Sequence, residues 1–360
     1  MEIKKIAIIG LGLIGGSLAK ALKKANPEIH ISALDRENIL SQALDDGVIQ
    51  KKLPTVKDSV ESDVIFICLP VNESLNVFKE LLPLLKENQI LSDSCSIKGI
   101  FTEIWKNSHS KGIYIGGHPM TGKEKSGYEN SDSMLFENTV YILTNGHNAN
   151  KVQVNNFVLL VETLGAHITF LDAEIHDSIV AEVSHLPQLL ATTLVNTISQ
   201  HKNFNILSFA AGGFRDMTRI ASSPFNVWEP IVKYNKERIL LALESFETEL
   251  DKIKEIISND DFNKLAEKFE SARIKRDVIP KDSKGFISRL YDVFIYVKDQ
   301  PGEMSKISTA LYKNNINIKD IEVLKIREGS GGSFRLAFSN EKDAKEAKRI
   351  IESIGFSTKI

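Results

Sequence analysis

The sequence predicts three successive parts: a doubly wound α/β domain, an all-helical block and a small α+β module. Three observations carry that prediction. Short apolar runs alternate with amphipathic stretches as far as about residue 172. Strand-like runs then vanish from 173 to about 276, where long helical periodicities replace them. After a polar, turn-rich linker at 279–285 the order becomes strand–helix–strand–strand–helix–strand, that of a ferredoxin-like plait. The expected boundaries are 1–172, 173–283 and 288–360.

The first strand, 6–9, is wholly apolar and runs into Gly10, Gly12 and Gly15, with a helix expected over 17–24. A second apolar run, 29–34, ends in Asp35, about 20 residues beyond Gly15, the spacing of a dinucleotide fingerprint. Gly10 makes the tight turn, Gly12 lets the backbone approach a pyrophosphate, and Gly15 permits close helix–strand packing. The helix start offers free N–H groups and its positive dipole end to the phosphates. Asp35 can accept both ribose hydroxyls and repels a 2′-phosphate, which favours NAD, while Arg36 can stack on adenine or accept a phosphate. Leu11, Leu13 and Ile14 complete the loop.

A helix follows at 36–47, a strand at 63–69 closed by Pro70, and an amphipathic helix at 73–85. Strands at 89–92, 113–116, 139–144 and 167–170, with a helix at 154–164, are expected to complete a mostly parallel Rossmann sheet. Leu69, Pro70 and Ser94 lie at strand ends and are counted with the cofactor-binding set. Helices are expected over 173–200, 204–220, 227–257 and 261–276; by fold analogy this block supplies substrate contacts and a dimer interface. The plait is expected from strands at 290–297, 316–327, 333–338 and 356–360 and helices at 302–314 and 341–354.

The chain has 360 residues and a net charge of −2, which gives no reason to expect nucleic acid or an anionic membrane as partner. The two cysteines, Cys68 and Cys95, lack metal-ligand spacing and fit a reducing, cytoplasmic setting. The first residues lead straight into a strand, so no signal peptide is expected, and no apolar run reaches the length of a membrane span.

Four stretches bear chemistry. Ser96, in Asp93-Ser-Cys-Ser-Ile-Lys98, stands at the carboxyl end of a strand, where it can hold a substrate or serve an N-cap. His118 leaves a strand after two glycines and suits proton abstraction near neutrality, the alternative being an exposed loop histidine. Arg215, Asp216 and Arg219 offer a carboxylate clamp or a helix-surface charge pair. His185 and Gln188, three apart, share a helix face, with a satisfied core histidine as the alternative.

These stretches, in their order, resemble the prephenate dehydrogenase family, which includes the arogenate dehydrogenases. The similarity runs through GLGLIGGSLA, DSCSIKG, GGHPMTGKEKSG, EVSHLPQLLA and GGFRDMTRIA. The last part, with Asp299-Gln-Pro-Gly302 and Ile316-Asn-Ile318, resembles an ACT domain. The resemblance implies NAD-dependent oxidative decarboxylation of prephenate. His118 accepts the ring hydroxyl's proton, Ser96 aligns the groups, and Arg219 binds the ring carboxylate. His185, Gln188 and Glu124 shape the pocket, and Asp216 orients Arg219. It also implies a homodimer and feedback inhibition by an amino acid, tyrosine, at a site where Asn315, Asn317 and Ile318 lie beside Asp299 and Gly302. No metal is implied.

Two departures stand out. Gln188 replaces a histidine of many members, which leaves the side-chain preference open between prephenate and arogenate. Cys95 replaces a glycine, which implies sensitivity to thiol reagents. A β-hydroxyacid dehydrogenase shares the general plan but relies on a lysine in the helical domain. A non-catalytic sensor of nucleotide and amino acid would not need Ser96, His118 and Arg219 together.

Overall fold

The computed structural model describes residues 3–122, 125–200, 206–278, 290–327 and 331–359, and the side chains of all of these except 325–327. The linker expected at 279–285 lies outside them. The chain forms two compact units, Met1–Leu265 and Ala266–Ile360.

Six strands build the main sheet of the first unit: β1 (Lys5–Ile9), β2 (His30–Leu34), β3 (Lys51–Lys52), β4 (Val64–Ile67), β5 (Ile90–Asp93) and β6 (Ile113–Tyr114). Every pairing is parallel, in the order β3-β2-β1-β4-β5-β6. Because β1 is central, both its faces are covered. Ile6 and Ile8 join one core with Leu18 and Leu22 of α1 (Leu13–Ala25) and Ile39 and Leu40 of α2 (Glu37–Asp45). Ala7 and Ile9 join another, with Leu75 and Phe78 of α3 (Val71–Leu81) and Phe101 and Trp105 of α4 (Gly99–Lys106). The strand order reverses between β1 and β4, which opens a crevice at their carboxyl ends.

The strands expected at 139–144 and 167–170 leave this sheet. As β8 (Val140–Leu143) and β9 (His167–Phe170) they join β7 (Gly117–Pro119) in a separate three-stranded sheet, antiparallel between β7 and β8 and parallel between β8 and β9. The turn away from β6 uses Gly116, where an added Cβ would lie 2.7 Å from the Tyr114 hydroxyl. The Gly116 N–H instead donates to Thr144 Oγ1 at 2.9 Å. Helix α5 (Lys151–Glu162) connects β8 to β9 and buries Phe157 and Val161 in the α1-side core.

The helical segment differs from expectation in its breaks. The helix expected over 173–200 is α6 (Ala173–Val180), a π-helical turn at Ala181–His185, and α7 (Leu186–Ser199). Of the described residues within 204–220, only α8 (Gly212–Thr218) is α-helical, followed by a 3₁₀ turn at Arg219–Ser222. The helix expected over 227–257 breaks at Asn235 into α9 (Phe225–Tyr234) and α10 (Lys236–Ser258), with α11 (Phe262–Val278) beyond. No helix among the described residues is long and apolar enough to cross a membrane.

In the second unit, β10 (Tyr291–Val297), α12 (Glu303–Lys313), β11 (Asp320–Arg327), β12 (Gly331–Phe338), α13 (Glu341–Ser353) and β13 (Ser357–Lys359) follow in the expected order. The antiparallel sheet runs β11-β12-β10-β13. Val293, Ile295 and Leu336 pack beneath Leu311 of α12 and Ile351 of α13. Asp299 and Gly302 precede α12, whereas Asn315, Asn317 and Ile318 follow it. The expected adjacency is therefore absent within one chain: the two groups are separated by the length of an 11-residue helix, about 16 Å.

Candidate active site

The glycine turn occupies the crevice. Gly10 has φ +95°, and its N–H donates to the Leu34 carbonyl at 2.8 Å. A Cβ there would lie 2.6 Å from the Cys68 carbonyl oxygen, and one on Gly15 would lie 1.8 Å from that of Gly10. A Cβ on Gly12 meets nothing within 4 Å. The loop is thus closed on its protein side and open at Gly12. Helix α1 begins at Leu13 and Ile14 with no acidic residue in its first turn and no side-chain cap, so its N–H groups remain available to phosphate. Asp35 Oδ2 accepts from the Leu11 N–H at 2.6 Å and Oδ1 from the Arg36 N–H at 2.6 Å. Each oxygen keeps a lone pair for a ribose hydroxyl. The Arg36 side chain is exposed. Leu69 and Pro70 follow β4, and Ser94 follows β5, its N–H donating to the Ile67 carbonyl at 3.0 Å. These residues fit a dinucleotide.

Gly16, which the fingerprint does not require, is needed as well. A Cβ there would lie 2.8 Å from the Tyr128 ring and 2.9 Å from Ser131 Oγ. The segment beyond His118 packs on α1 through this gap. Lys20 lies 4.4 Å from the centre of the Tyr128 ring, and Tyr128 donates to Asp46 at 3.0 Å.

At the end of β5, Asp93 and Lys98 form a fully enclosed ion pair. Asp93 also accepts from the Tyr114 hydroxyl and the Cys95 N–H, each at 2.8 Å, and Lys98 Nζ donates to the Gly117 carbonyl at 2.7 Å. These bonds satisfy the remaining polar atoms of a pair whose burial is otherwise costly. They also fix the backbone on either side of the site: Ser96 stands half-buried between Asp93 and Lys98, and His118 directly follows Gly117. Cys95 is only 5% exposed, and burial pushes its thiol well above the ordinary range. The expected reagent sensitivity does not fit that environment, because the thiolate is the reactive form.

His118 Nδ1 lies 2.8 Å from His176 Nε2, and His176 Nδ1 lies 2.8 Å from Asp177 Oδ1. His176 and Asp177 are enclosed, while His118 is half-buried. Burial, with Lys98 and the neighbouring imidazoles adding to it, holds His118 well below the usual imidazole range. Asp177 also accepts from the Lys98 N–H at 2.7 Å and the Gly99 N–H at 2.8 Å. It thereby caps the start of α4 from α6. Burial raises its pKa, but the bonds from His176, Lys98 and Gly99 outweigh burial and leave it below the ordinary carboxylate value.

His185 ends the π-helical turn, a local widening often found at functional sites. It is buried at 1% exposure, and burial lowers it to about 4 against the opposing pull of Asp177. Asn235 Nδ2 donates to the Asp177 carbonyl at 2.8 Å and faces His185 Nδ1 at 3.3 Å. The Trp228 ring meets the His185 ring edge to face, centroids 5.9 Å apart. Gln188, one turn on, is also buried.

Asp216 and Arg219 are exposed, in α8 and the turn after it, and no ion pair joins them among the described residues. That segment packs on α7, which carries Gln188. Glu124 lies outside the described residues. In the second unit, Asn315, Asn317 and Ile318 line a depression of about 410 Å³ with Leu311 and Tyr312.

Sequence reasoning missed His176, Asp177, Asn235 and a role for Lys98. The only local signals are an adjacent His–Asp pair and a lysine within a strand-end motif. Neither discloses partners 58 or 79 positions away.

Comparisons with known proteins identify the family. Residues 18–170 match the family model "Prephenate dehydrogenase, nucleotide-binding domain", 172–271 match "Prephenate dehydrogenase, dimerization domain", and 291–356 match "ACT domain". The chain is 35% identical to a prephenate dehydrogenase of Bacillus subtilis, across 97% of this chain and 95% of that one. It is 36% identical to a prephenate dehydrogenase of Lactococcus lactis, across 97% and 98%. It also resembles a crystal structure of prephenate dehydrogenase from A. aeolicus in complex with hydroxyphenyl propionate and NAD+. The TM-score is 0.72 at 31% identity, covering 78% of this chain and 99% of that one.

Proposed function

The chain belongs to the prephenate dehydrogenase family, and from that premise we propose that it oxidatively decarboxylates prephenate to 4-hydroxyphenylpyruvate with NAD. The observation that carries this reading is the His118 imidazole. It is held below the usual imidazole range, anchored through Nδ1, and follows Gly117, whose carbonyl Lys98 ties to the carboxyl end of β5. Residues 1–172 serve as the cofactor domain, 173–283 as the substrate and dimer domain, and 288–360 as the regulatory domain of a cytoplasmic homodimer.

Gly10 to Gly15, the start of α1 and Asp35 hold NAD, with Leu69, Pro70 and Ser94 lining its path. NAD supplies the hydride acceptor. His118 Nε2 accepts the ring hydroxyl's hydrogen and draws on its proton as the carbon bearing it gives up hydride. The ring carboxylate leaves as carbon dioxide, and the proton returns to the phenol oxygen as the ring becomes aromatic. Ser96 aligns the hydroxyl with His118. Arg219 binds the ring carboxylate, and His185, Gln188 and Glu124 shape the side-chain pocket. Groups fixed in advance around a dianion act most strongly where water is excluded.

Tyrosine is the proposed feedback effector. Since Asp299 and Gly302 lie at one end of α12 and Asn315, Asn317 and Ile318 at the other, a tyrosine-sized site using both groups takes one from each of two ACT modules. Arogenate is the second reading of the substrate, turning on Gln188, which is buried on α7.

The test is NADH formation by the purified chain with prephenate or arogenate, with and without tyrosine. Turnover of prephenate that tyrosine suppresses supports the whole reading. Turnover of arogenate alone moves the substrate assignment, and silence with both favours a sensor. His118→Asn should abolish turnover and retain NAD binding.

A further inference from the structure

We propose that Asp177, acting through His176, sets the tautomer of His118 and so makes its Nε2 the proton acceptor; both are positioning residues. The inference rests on the reading of His118 as the base. Asp177 receives two backbone N–H bonds, from Lys98 and Gly99, and is an acceptor only. The ring nitrogen of His176 facing it, Nδ1, must therefore carry a proton. With that one proton on His176, its Nε2 presents a lone pair, and the 2.8 Å contact then puts the shared proton on His118 Nδ1. Nε2 of His118 is left unprotonated. The opposite polarity would place a hydrogen on His118 Nε2 and turn the base into a donor. As His118 takes up the substrate proton, its Nδ1–H bond to His176 and the carboxylate behind it stabilise the imidazolium, the role a buried carboxylate plays behind a catalytic histidine.

The same carboxylate caps α4 directly after the Ser96–Lys98 loop. One side chain of α6 thus holds both the loop carrying Ser96 and the ring of His118. Any shift of α6 moves both partners of the substrate hydroxyl together.

The test uses the full chain with ¹⁵N-labelled histidine, His118 being identified by the signal lost in His118→Asn. The expected spectrum shows His118 protonated at Nδ1 and bare at Nε2. His176→Leu should lower kcat by about 100-fold, the scale of a positioned base, with KM for NAD little changed. His176→Gln, whose side-chain oxygen can accept from His118 Nδ1, should recover most of that loss. A purely packing role predicts the reverse order, leucine tolerated better than glutamine. A His118 found protonated at Nε2, or full kcat in His176→Leu, overturns the proposal. Should the leucine variant not fold, the wild-type spectrum still decides. Absence of prephenate turnover in the wild type would sink the functional reading and leave the tautomer measurement standing.

Discussion

Asn235 reaches back 58 positions to donate its side-chain amide to the backbone carbonyl of Asp177 at 2.8 Å. It does so from the break between α9 and α10, and the same nitrogen faces His185. The residue is 1% exposed, so its partners have no water to replace it. Asn235→Ala should destabilise the fold by about 1–3 kcal/mol, the cost of leaving a buried acceptor unsatisfied. It should also raise KM for prephenate by loosening His185. Thermal melts and steady-state kinetics check both; an unchanged melting temperature counts against the amide as a tie.

The glycine turn predicts opposite behaviour at two positions. Gly15→Ala forces a Cβ into the Gly10 carbonyl, a backbone group that cannot swing aside. It should lower stability and NAD affinity together. Gly12→Ala meets open space and should melt like the wild type while losing NAD affinity. Parallel melts and NAD titrations separate the two. A destabilised Gly12→Ala would contradict the open face.

The depressed imidazoles give pH effects of known sign. His118 is held below the ordinary 6.5, so it stays neutral as pH falls through 6.5, and the acid limb of kcat/KM should lie below that value. For stability, the unfolded chain takes up protons at 6.5 while the folded chain refuses them at His118, and at His185 until about 4. The unfolded state binds more protons in that window, so stability should fall as pH drops from 6.5 towards 4. Urea midpoints at pH 7 and pH 5 test this, and equal midpoints would refute it.

Cys95 should resist alkylation by iodoacetamide in the native chain and react rapidly once urea unfolds it, because burial disfavours the thiolate. Mass spectrometry of the modified peptide reads the rate. Fast native modification would show that the β5 end opens in solution.

Local patterns carried the parts of the site that a single turn can encode. The turn at Gly10 and Gly15 was legible because each meets a backbone requirement within one strand–turn–helix unit. Ser96 follows the parallel strand β5 as its motif suggested, whereas His118, expected to leave a strand, lies within β7, which pairs antiparallel with β8. The βαββαβ order of the second unit was legible in its alternating hydrophobic periods. The positions of strands 140–143 and 167–170 were not, since a period of two marks a strand but not its sheet. Nor were the helix breaks at Ala181–His185 and Asn235, where tertiary hydrogen bonds override a continuous helical pattern. The His118–His176–Asp177 chain was invisible for the same reason. Its members are ordinary residues in sequence and become a hydrogen-bonded chain only when α6 meets the start of α4 and His118 of β7. Hydrophobic periodicity determines which segments become strands and helices; which polar groups then share a buried space is decided only when those segments close on one another and leave each donor a single acceptor.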